Sequence, residues 1–158
     1  MTEGITVVFL EDDPGMQSYL EVILQKGLRS EDRFIITDNV HELLKQNTAD
    51  IYFLGLSCQQ VLYNYSLQLP NLIRENCPAP NFTVYFTARP FHDVQDLLNQ
   101  YDAYLQKPFA EESFLEMVRY ARDCVLEFRN EQQIQMDYKE EFGGLKDEKK
   151  QISPDVCN

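Results

Sequence analysis

The chain is short of basic residues and of long apolar runs. Its 14 lysines and arginines stand against 26 aspartates and glutamates, a net charge of −12, which opposes generic binding to nucleic acid or to an anionic membrane. No uninterrupted apolar run is longer than Val7–Leu10, far below the ~20 residues that span a bilayer. No basic-then-apolar export signal opens the sequence, so we expect a cytoplasmic protein without membrane contact.

Cysteine and histidine are sparse and scattered. The two histidines, His41 and His92, are distant from each other and are not expected to act as catalytic bases or metal ligands. The four cysteines lie too far apart for a C-x-x-C zinc or redox motif. We interpret them as reduced thiols that fill space; they are Cys58, Cys77, Cys124 and Cys157.

What is present is the composition of one soluble domain with a real core: 158 residues, 44% of them apolar and 25% charged. Apolar, β-branched strand candidates alternate with helical segments. The strands are predicted at Ile5–Leu10, Arg33–Thr37, Asp50–Leu56, Phe82–Thr87 and Ala103–Gln106. Five strands separated by helices predict an α/β fold, a doubly wound, flavodoxin-like (βα)5 parallel sheet covered on both faces.

Local signals place the helices between these strands. Pro14 opens the first helix, and Asp13 can cap it. Asn39 followed by Glu42 resembles a capping box for the second helix. A third helix is predicted over residues 59–76, where Pro70 should break or kink it.

The last helix is predicted to begin near Ala110 and to outrun the domain. An apolar seam of 4-3-4-3 spacing, formed by Phe114, Val118, Ala121, Val125 and Phe128, should pack on the sheet. Beyond it the sequence is polar but helix-compatible, and from Gly143 onward it is typical of disorder. We therefore expect a domain over residues 1–128 and a helical extension with an acidic disordered tail over 129–158. The extension either pairs with a partner or is simply solvated.

Chemistry-bearing residues cluster where the strands end. In a doubly wound parallel sheet the functional crevice lies at the carboxyl ends of the strands. The first strand ends at Glu11 and Asp12, the fourth at Thr87, and the fifth at Lys107. Paired carboxylates form an oxygen site suited to Mg²⁺, and a hydroxyl and a lysine facing them can hold phosphoryl oxygens. The third strand ends instead at Gly55, which has no side chain.

These residues carry a resemblance to the receiver domain of two-component response regulators, across about residues 5–128. "VVFLEDDPGM" resembles the family's first strand and acidic pair, which implies that Glu11 and Asp12 occupy the metal-site positions. "VYFTAR" and "AYLQKPF" are similar to its fourth- and fifth-strand motifs. The resemblance implies that Thr87 and Lys107 contact the phosphoryl group, with Pro108 as the cis-peptide neighbour of Lys107 and Tyr104 as the switch aromatic. The strand "YFLGL" and the run "LEDD" look most like regulators that carry a LytTR-type DNA-binding domain.

The chain departs from this family at the end of the third strand and in the loop "LSCQQV" that follows, which lacks the Pro and Gly that family members often have there. Where family members read "FLDI", with an aspartate that accepts the phosphoryl group and ligates Mg²⁺, this chain reads "FLGL". Glycine can do neither, so Gly55 marks a vacated phosphoacceptor position. Asp50 lies at the opposite end of the strand and cannot reach, and Ser57 and Cys58 are not family phosphoacceptors. We expect no cofactor beyond a weak or lost Mg²⁺ site at Glu11 and Asp12, and room for a small anion beside Lys107.

Without its usual partner, Lys107 could pair with Glu11 or Asp12. Our hypothesis is that such an ion pair substitutes for the metal and holds the site in one state. The two acids could also be solvated residues at a strand end. Tyr104 is either a rotameric reporter for the face of the fourth helix, fifth strand and last helix or an ordinary half-buried tyrosine.

The sequence thus favours a non-enzymatic pseudo-receiver that signals by phosphorylation-independent protein contact. Its partner, or a second copy of the chain, would bind the face formed by the fourth helix, fifth strand and last helix. Two alternatives stay open. One is a phospho-accepting regulator that uses another residue, or a form with Gly55 engineered in place of Asp. The other is a small-ligand or redox sensor that uses the vacated pocket or Cys58.

Overall fold

The computed structural model describes residues 4–46, 48–55, 60–77 and 81–156. For residues 60–67 and 143–156 it describes the backbone only. Five strands alternate with five helices. The elements are β1 Thr6–Glu11, α1 Pro14–Gly27, β2 Arg33–Thr37, α2 Val40–Lys45, β3 Ile51–Gly55, α3 Gln60–Asn76, β4 Phe82–Thr87, α4 Phe91–Leu98, β5 Ala103–Gln106 and α5 Glu111–Val156. The strands form one parallel sheet in the order β2-β1-β3-β4-β5. The predicted fold class is confirmed.

Each central strand is buried on both faces, which explains its nearly continuous apolar sequence. Alternate residues point to opposite sides of the sheet. On the side of α1 and α5, Phe9 stacks on Phe53 at 4.6 Å between ring centroids, and Phe114 of α5 contacts both rings. On the other side, strand residues such as Leu10 and Tyr52 join a core with α2, α3 and α4.

The helix starts follow their sequence signals. The Asp13 carboxylate accepts a hydrogen bond from the backbone N–H of Met16, and Asn39 caps α2 by accepting from His41 and Glu42. The Glu42 side chain does not complete the capping box but pairs with Lys45 instead. Pro70 lies inside α3, which continues past it to Asn76 as one helix.

Aspartates close the amino ends of the strands. Asp32 accepts from the backbone N–H of Ile5, Asp50 from that of Thr6, and Asp102 from that of Thr83, each at 2.8–2.9 Å. These bonds satisfy strand N–H groups at the sheet edge, which would otherwise be costly to bury. The site-bearing carboxyl ends therefore extend from a sheet that is anchored at its opposite edge.

Buried Arg122 of α5 is bound to Asp32, whose carboxylate also accepts from the backbone N–H of Arg29. Burial alone would raise the pKa of the Asp32 carboxyl. The N–H groups of Ile5 and Arg29 and the Arg122 guanidinium outweigh burial and lower the pKa below its ordinary value of 3.8. This ion pair joins α5 to the amino edge of the sheet.

The chain divides into two units, residues 1–125 and 126–158. The second unit is helical to Val156, including residues 143–156, where the sequence pattern predicts disorder. Leucine, lysine, glutamate and glutamine are good helix formers and supply most of residues 145–151. The division into a domain over 1–128 and an extension stays a prediction. No helix among the described residues is long and apolar enough to cross a membrane.

Candidate functional site

The carboxyl ends of β1, β3, β4 and β5 bring the predicted site residues to one edge of the sheet. Glu11 pairs in register with Gly55, and Thr87 pairs with Gln106, the residue before Lys107. The backbone N–H of Lys107 donates to the carbonyl oxygen of Thr87 at 2.7 Å. The peptide bond between Lys107 and Pro108 is cis, as the resemblance implies.

Glu11 and Lys107 form an ion pair at the centre of this edge. Lys107 Nζ donates to Glu11 Oε2 and lies 4.2 Å from the centroid of the Phe86 ring. The glutamate is 1% exposed, and the lysine side chain 17%. Burial raises the pKa of the Glu11 carboxyl, although the hydrogen bond and charge of Lys107 act against it. The pairing that the sequence suggested for Lys107, with Glu11 as one of two candidates, is present.

The space beside Gly55 is filled rather than empty. A Cβ atom placed on Gly55 would lie 2.7 Å from Glu11 Oε2, 2.7 Å from Phe86 Cδ1 and 2.8 Å from the carbonyl oxygen of Leu10. Real Cβ atoms essentially never approach other atoms this closely. The expected room for a small anion at this point is therefore wrong, because the longer Glu11 side chain and the Phe86 ring occupy it.

Glycine at position 55 accommodates this crowding, because it has no Cβ. No described glycine has a positive φ, so a left-handed backbone does not explain the choice. Gly55 lies in a regular strand and ends it in register with Glu11 of the neighbouring strand. A side chain at the end of this strand would meet the Glu11 carboxylate, the Phe86 ring and the Leu10 carbonyl oxygen.

The carboxylates of Glu11 and Asp12 are the oxygen donors that a Mg²⁺ ion at this edge would use. Lys107 holds one carboxylate oxygen of Glu11, and the backbone N–H of Asp13 donates to the other at 3.1 Å. Asp12 is exposed at the strand end. Among the described residues, no group of three or more His, Cys, Asp or Glu side chains could hold a metal ion. This arrangement does not fit Mg²⁺ while Lys107 stays bound to Glu11.

Thr87 and Tyr104 are joined through the backbone of Arg89. The buried Thr87 hydroxyl oxygen accepts from the N–H of Arg89 at 3.2 Å, and the Tyr104 hydroxyl donates to the carbonyl oxygen of Arg89 at 2.5 Å. The Tyr104 ring also meets Phe91 of α4 edge-on, with centroids 5.9 Å apart. One residue thus links the site hydroxyl to the aromatic side chain on the β5 edge.

Sequence reasoning missed Phe86 at this site and Arg122 at the opposite edge of the sheet. The Phe86 ring borders the space where a side chain on Gly55 would lie, and the Lys107 ammonium lies over the same ring. Its position just before Thr87 in the fourth-strand motif was the sequence feature that could have indicated this. Arg122 was missed because the seam of α5 was read for its apolar members. A lone arginine between Ala121 and Val125 was the signal for a buried cation. Ser57 and Cys58, the neighbours considered as substitute acceptors, lie outside the described residues.

Comparison with known proteins identifies the architecture. No family model matches the sequence, and no curated protein does. Among solved structures, a response regulator from Thermotoga maritima is similar at a TM-score of 0.61 and 20% identity, over 75% of this chain and 97% of its own. The response regulatory domain of mrkE from Klebsiella pneumoniae matches at 0.56 and 23%, over 78% and 99%.

A third match is the response regulator TrrA from Thermotoga maritima, described in complex with Mg²⁺ and BeF. It aligns at a TM-score of 0.56 and 20% identity, over 76% of this chain and 99% of its own. Sequence identities this low establish the fold alone. What the site can do chemically depends on the residues at the strand ends. The sheet order, the helices on both faces and these matches agree: the chain has the receiver fold of two-component response regulators.

Proposed function

We propose that this protein is a pseudo-receiver, a signalling module that acts by protein contact and accepts no phosphoryl group. The observation that carries the proposal is the filled space beside Gly55. The position lacks a nucleophilic carboxylate, and the Glu11 carboxylate and the Phe86 ring occupy the volume that such a side chain would need.

The charges at the site support the same conclusion. Transfer of a phosphoryl group to a carboxylate requires positive charge that neutralises the oxygens of the transferred group. Lys107 is a cation at this edge, and Glu11 already neutralises its ammonium at direct contact. The ion pair takes the place of a metal by holding β1 and β5 together through side chains, so the site rests in one arrangement.

A phosphodonor experiment tests this proposal. The purified chain is incubated with acetyl phosphate and Mg²⁺, and separately with beryllofluoride and Mg²⁺; intact mass and NMR spectra are recorded. We expect no added phosphate mass and no shift of the Thr87 and Lys107 signals. A response regulator known to bind beryllofluoride serves as the positive control. A stable adduct on the unaltered chain would instead identify a phospho-accepting regulator that uses another residue.

A designed gain-of-function variant sharpens the test. Gly55→Asp alone restores the carboxylate but places its Cβ against Glu11, so it should not bind beryllofluoride. Gly55→Asp combined with Glu11→Asp shortens the obstructing side chain by one methylene and frees Lys107. Binding by the double variant but not by Gly55→Asp alone would support the filled site as the cause of inactivity.

We place the partner surface on α4, β5 and the part of α5 that packs on the domain. This edge of the sheet exposes aromatic side chains: Phe91 is 52% exposed, Tyr120 is 59% exposed, and Tyr104 lies between exposed and buried. Exposed aromatics of this kind are typical anchors of protein interfaces. Their occupant is a protein partner or a second copy of the chain.

Light scattering after size exclusion distinguishes those two occupants. If the surface binds a second copy, the wild type should run as a dimer and Phe91→Asp as a monomer. Val22→Asp on α1 is the matched control, since Val22 is 57% exposed on a different helix. A wild-type monomer would direct the search to a separate partner, and a dimer unaffected by Phe91→Asp would place the interface elsewhere.

A further inference from the structure

The second unit of the chain, residues 126–158, carries a surface that the receiver fold does not account for. Every described residue from Asn130 to Phe142 is exposed. A helix in water usually owes its stability to the packing of one face against other structure. This part of the helix has such a face, and no described side chain of its own unit covers it.

The uncovered face is an acidic-apolar stripe, which we define as Glu127, Glu131, Ile134, Tyr138 and Phe142. These residues stand at i, i+4, i+7, i+11 and i+15, a spacing that places them in one line along a helix. Ile134 is 61% exposed, Tyr138 54% and Phe142 40%. The rings of Tyr138 and Phe142 are in contact, with their centroids 4.9 Å apart. Single exposed apolar residues are ordinary on a protein surface. Apolar residues on successive turns of one helix face, by contrast, form a continuous strip that a partner can cover.

The charges of this segment select the kind of partner. Residues 126–142 hold five acidic and two basic residues. The charged residues of the stripe are all acidic. The two basic residues of the segment, Arg129 and Lys139, stand at i+2 and i+12 from Glu127, which places them on other faces of the helix. Over the described residues 126–142, a second copy would bring one acidic stripe against another, with no cation on the line of Glu127 and Glu131. Like charges that face each other across an interface oppose association.

We propose that the acidic-apolar stripe docks a basic amphipathic helix of another protein. The partner helix would lay an apolar stripe on Ile134, Tyr138 and Phe142 and place lysine or arginine side chains, four residues apart, opposite Glu127 and Glu131. This surface lies wholly within residues 126–142. It is therefore independent of whether position 55 accepts a phosphoryl group.

A synthetic helical peptide is the probe. It has 21 residues, with leucine at the a and d positions of its heptads and lysine at e and g; a matched peptide carries glutamate in place of lysine. Binding to the full chain is measured by fluorescence anisotropy and calorimetry at two salt concentrations. We expect micromolar binding of the lysine peptide that weakens with salt, and binding of the glutamate peptide at least tenfold weaker.

Paired variants separate the stripe from general acidity. Glu127→Lys with Glu131→Lys should weaken binding at least tenfold, whereas Asp137→Lys with Glu140→Lys makes the same charge change off the stripe and should weaken it less than threefold. Ile134→Ser should likewise cost about tenfold. Met136→Ser, also at a 59% exposed apolar residue but on another face, should have little effect. Circular dichroism checks that all four variants keep their helix content.

Three results would overturn the proposal. One is no binding of the lysine peptide at 100 μM. Another is equal loss in the stripe and off-stripe variants, which would reduce the interaction to net charge. The third is a wild-type dimer by light scattering that Ile134→Ser abolishes and Met136→Ser does not, which would assign the stripe to a second copy.

Discussion

Replacing Gly55 with alanine tests the physical reason for the glycine. The change adds one methyl group at the end of β3, on a backbone whose φ any residue can adopt. The methyl carbon would lie within 2.8 Å of three atoms. Two belong to side chains, Glu11 and Phe86, that can give way. The third is the Leu10 carbonyl oxygen, which belongs to the neighbouring strand and can move only with the sheet.

Two effects of opposite sign set the magnitude. Alanine reduces the conformational freedom of the unfolded chain, which at an unstrained position stabilises a protein by about 0.4–1 kcal/mol. Overpacking a filled core costs about 1–3 kcal/mol. Contacts of 2.7–2.8 Å on three sides place this site in the upper part of that range. We therefore expect Gly55→Ala to lower the free energy of unfolding by about 1–2 kcal/mol.

Urea unfolding followed by circular dichroism measures this change, with the slope of the transition checked for constancy. Gly15→Ala is the control, because a Cβ on Gly15 would meet only the Asp13 carboxylate oxygens, at 3.6 and 3.9 Å. That substitution in α1 should stabilise by about 0.5–1 kcal/mol. If Gly55→Ala also stabilises, the space beside Gly55 is open and the reasoning for a filled site is refuted.

A double-variant cycle assigns the crowding to Glu11. Glu11→Ala by itself removes the partner of Lys107 and should destabilise. In the Glu11→Ala background, however, Gly55→Ala loses one of its three close contacts, so its cost should fall by about 0.5–1 kcal/mol. Additive effects would show that Glu11 does not occupy the volume beside Gly55.

Three further predictions follow from the ion pairs and the Tyr104 bond. Lys107→Met leaves the Glu11 charge buried without its cation and should cost about 3 kcal/mol, whereas Lys26→Met breaks an exposed pair and should cost less than about 1 kcal/mol; urea unfolding compares them. Asp32→Asn should cost about 3 kcal/mol at pH 7. Because the folded pKa of Asp32 is lowered, this deficit should shrink as the pH falls below about 4 in unfolding measured across pH. Tyr104→Phe deletes the bond to the Arg89 carbonyl oxygen and should cost about 1 kcal/mol, with NMR shifts at Arg89 and Thr87.

Specific outcomes would contradict each of these. Equal losses for Lys107→Met and Lys26→Met would mean that Glu11 is solvated. An Asp32→Asn deficit that grows toward low pH would reverse the assigned direction of the pKa shift. A Tyr104→Phe spectrum unchanged at Thr87 would show that the Arg89 backbone does not connect the site to the β5 edge.

Much of the architecture was predictable from local pattern. The alternation of buried strands with helical segments predicts the sheet because residues buried on both faces must be apolar along their whole length. Asp13 and Asn39 mark helix starts because their side chains accept from free N–H groups of the first turn, and Pro14 does so because it lacks an N–H that would need a partner. The strand-end residues Glu11, Thr87 and Lys107 could be expected at one edge because parallel strands bring their carboxyl ends together.

Distances between side chains were not predictable in this way. The sequence left Lys107 with two candidate partners, Glu11 and Asp12, and placed an empty pocket at Gly55. Both questions depend on how far one side chain reaches across neighbouring strands. Arg122 is similar: its place in the seam of α5 does not reveal that the Asp32 carboxylate, which also accepts from two backbone N–H groups, lies close enough to bind its guanidinium.

The amino-acid sequence alone determined that this chain forms a five-stranded parallel sheet and that its third strand ends without a carboxylate, since both follow from residue type and periodicity. Only the tertiary structure decided what that missing carboxylate means. The strand register sets Glu11 beside Gly55, so the Glu11 side chain both fills the space at the missing carboxylate and binds Lys107. Close packing between strands depends on three-dimensional contacts, and no single segment of the sequence encodes it.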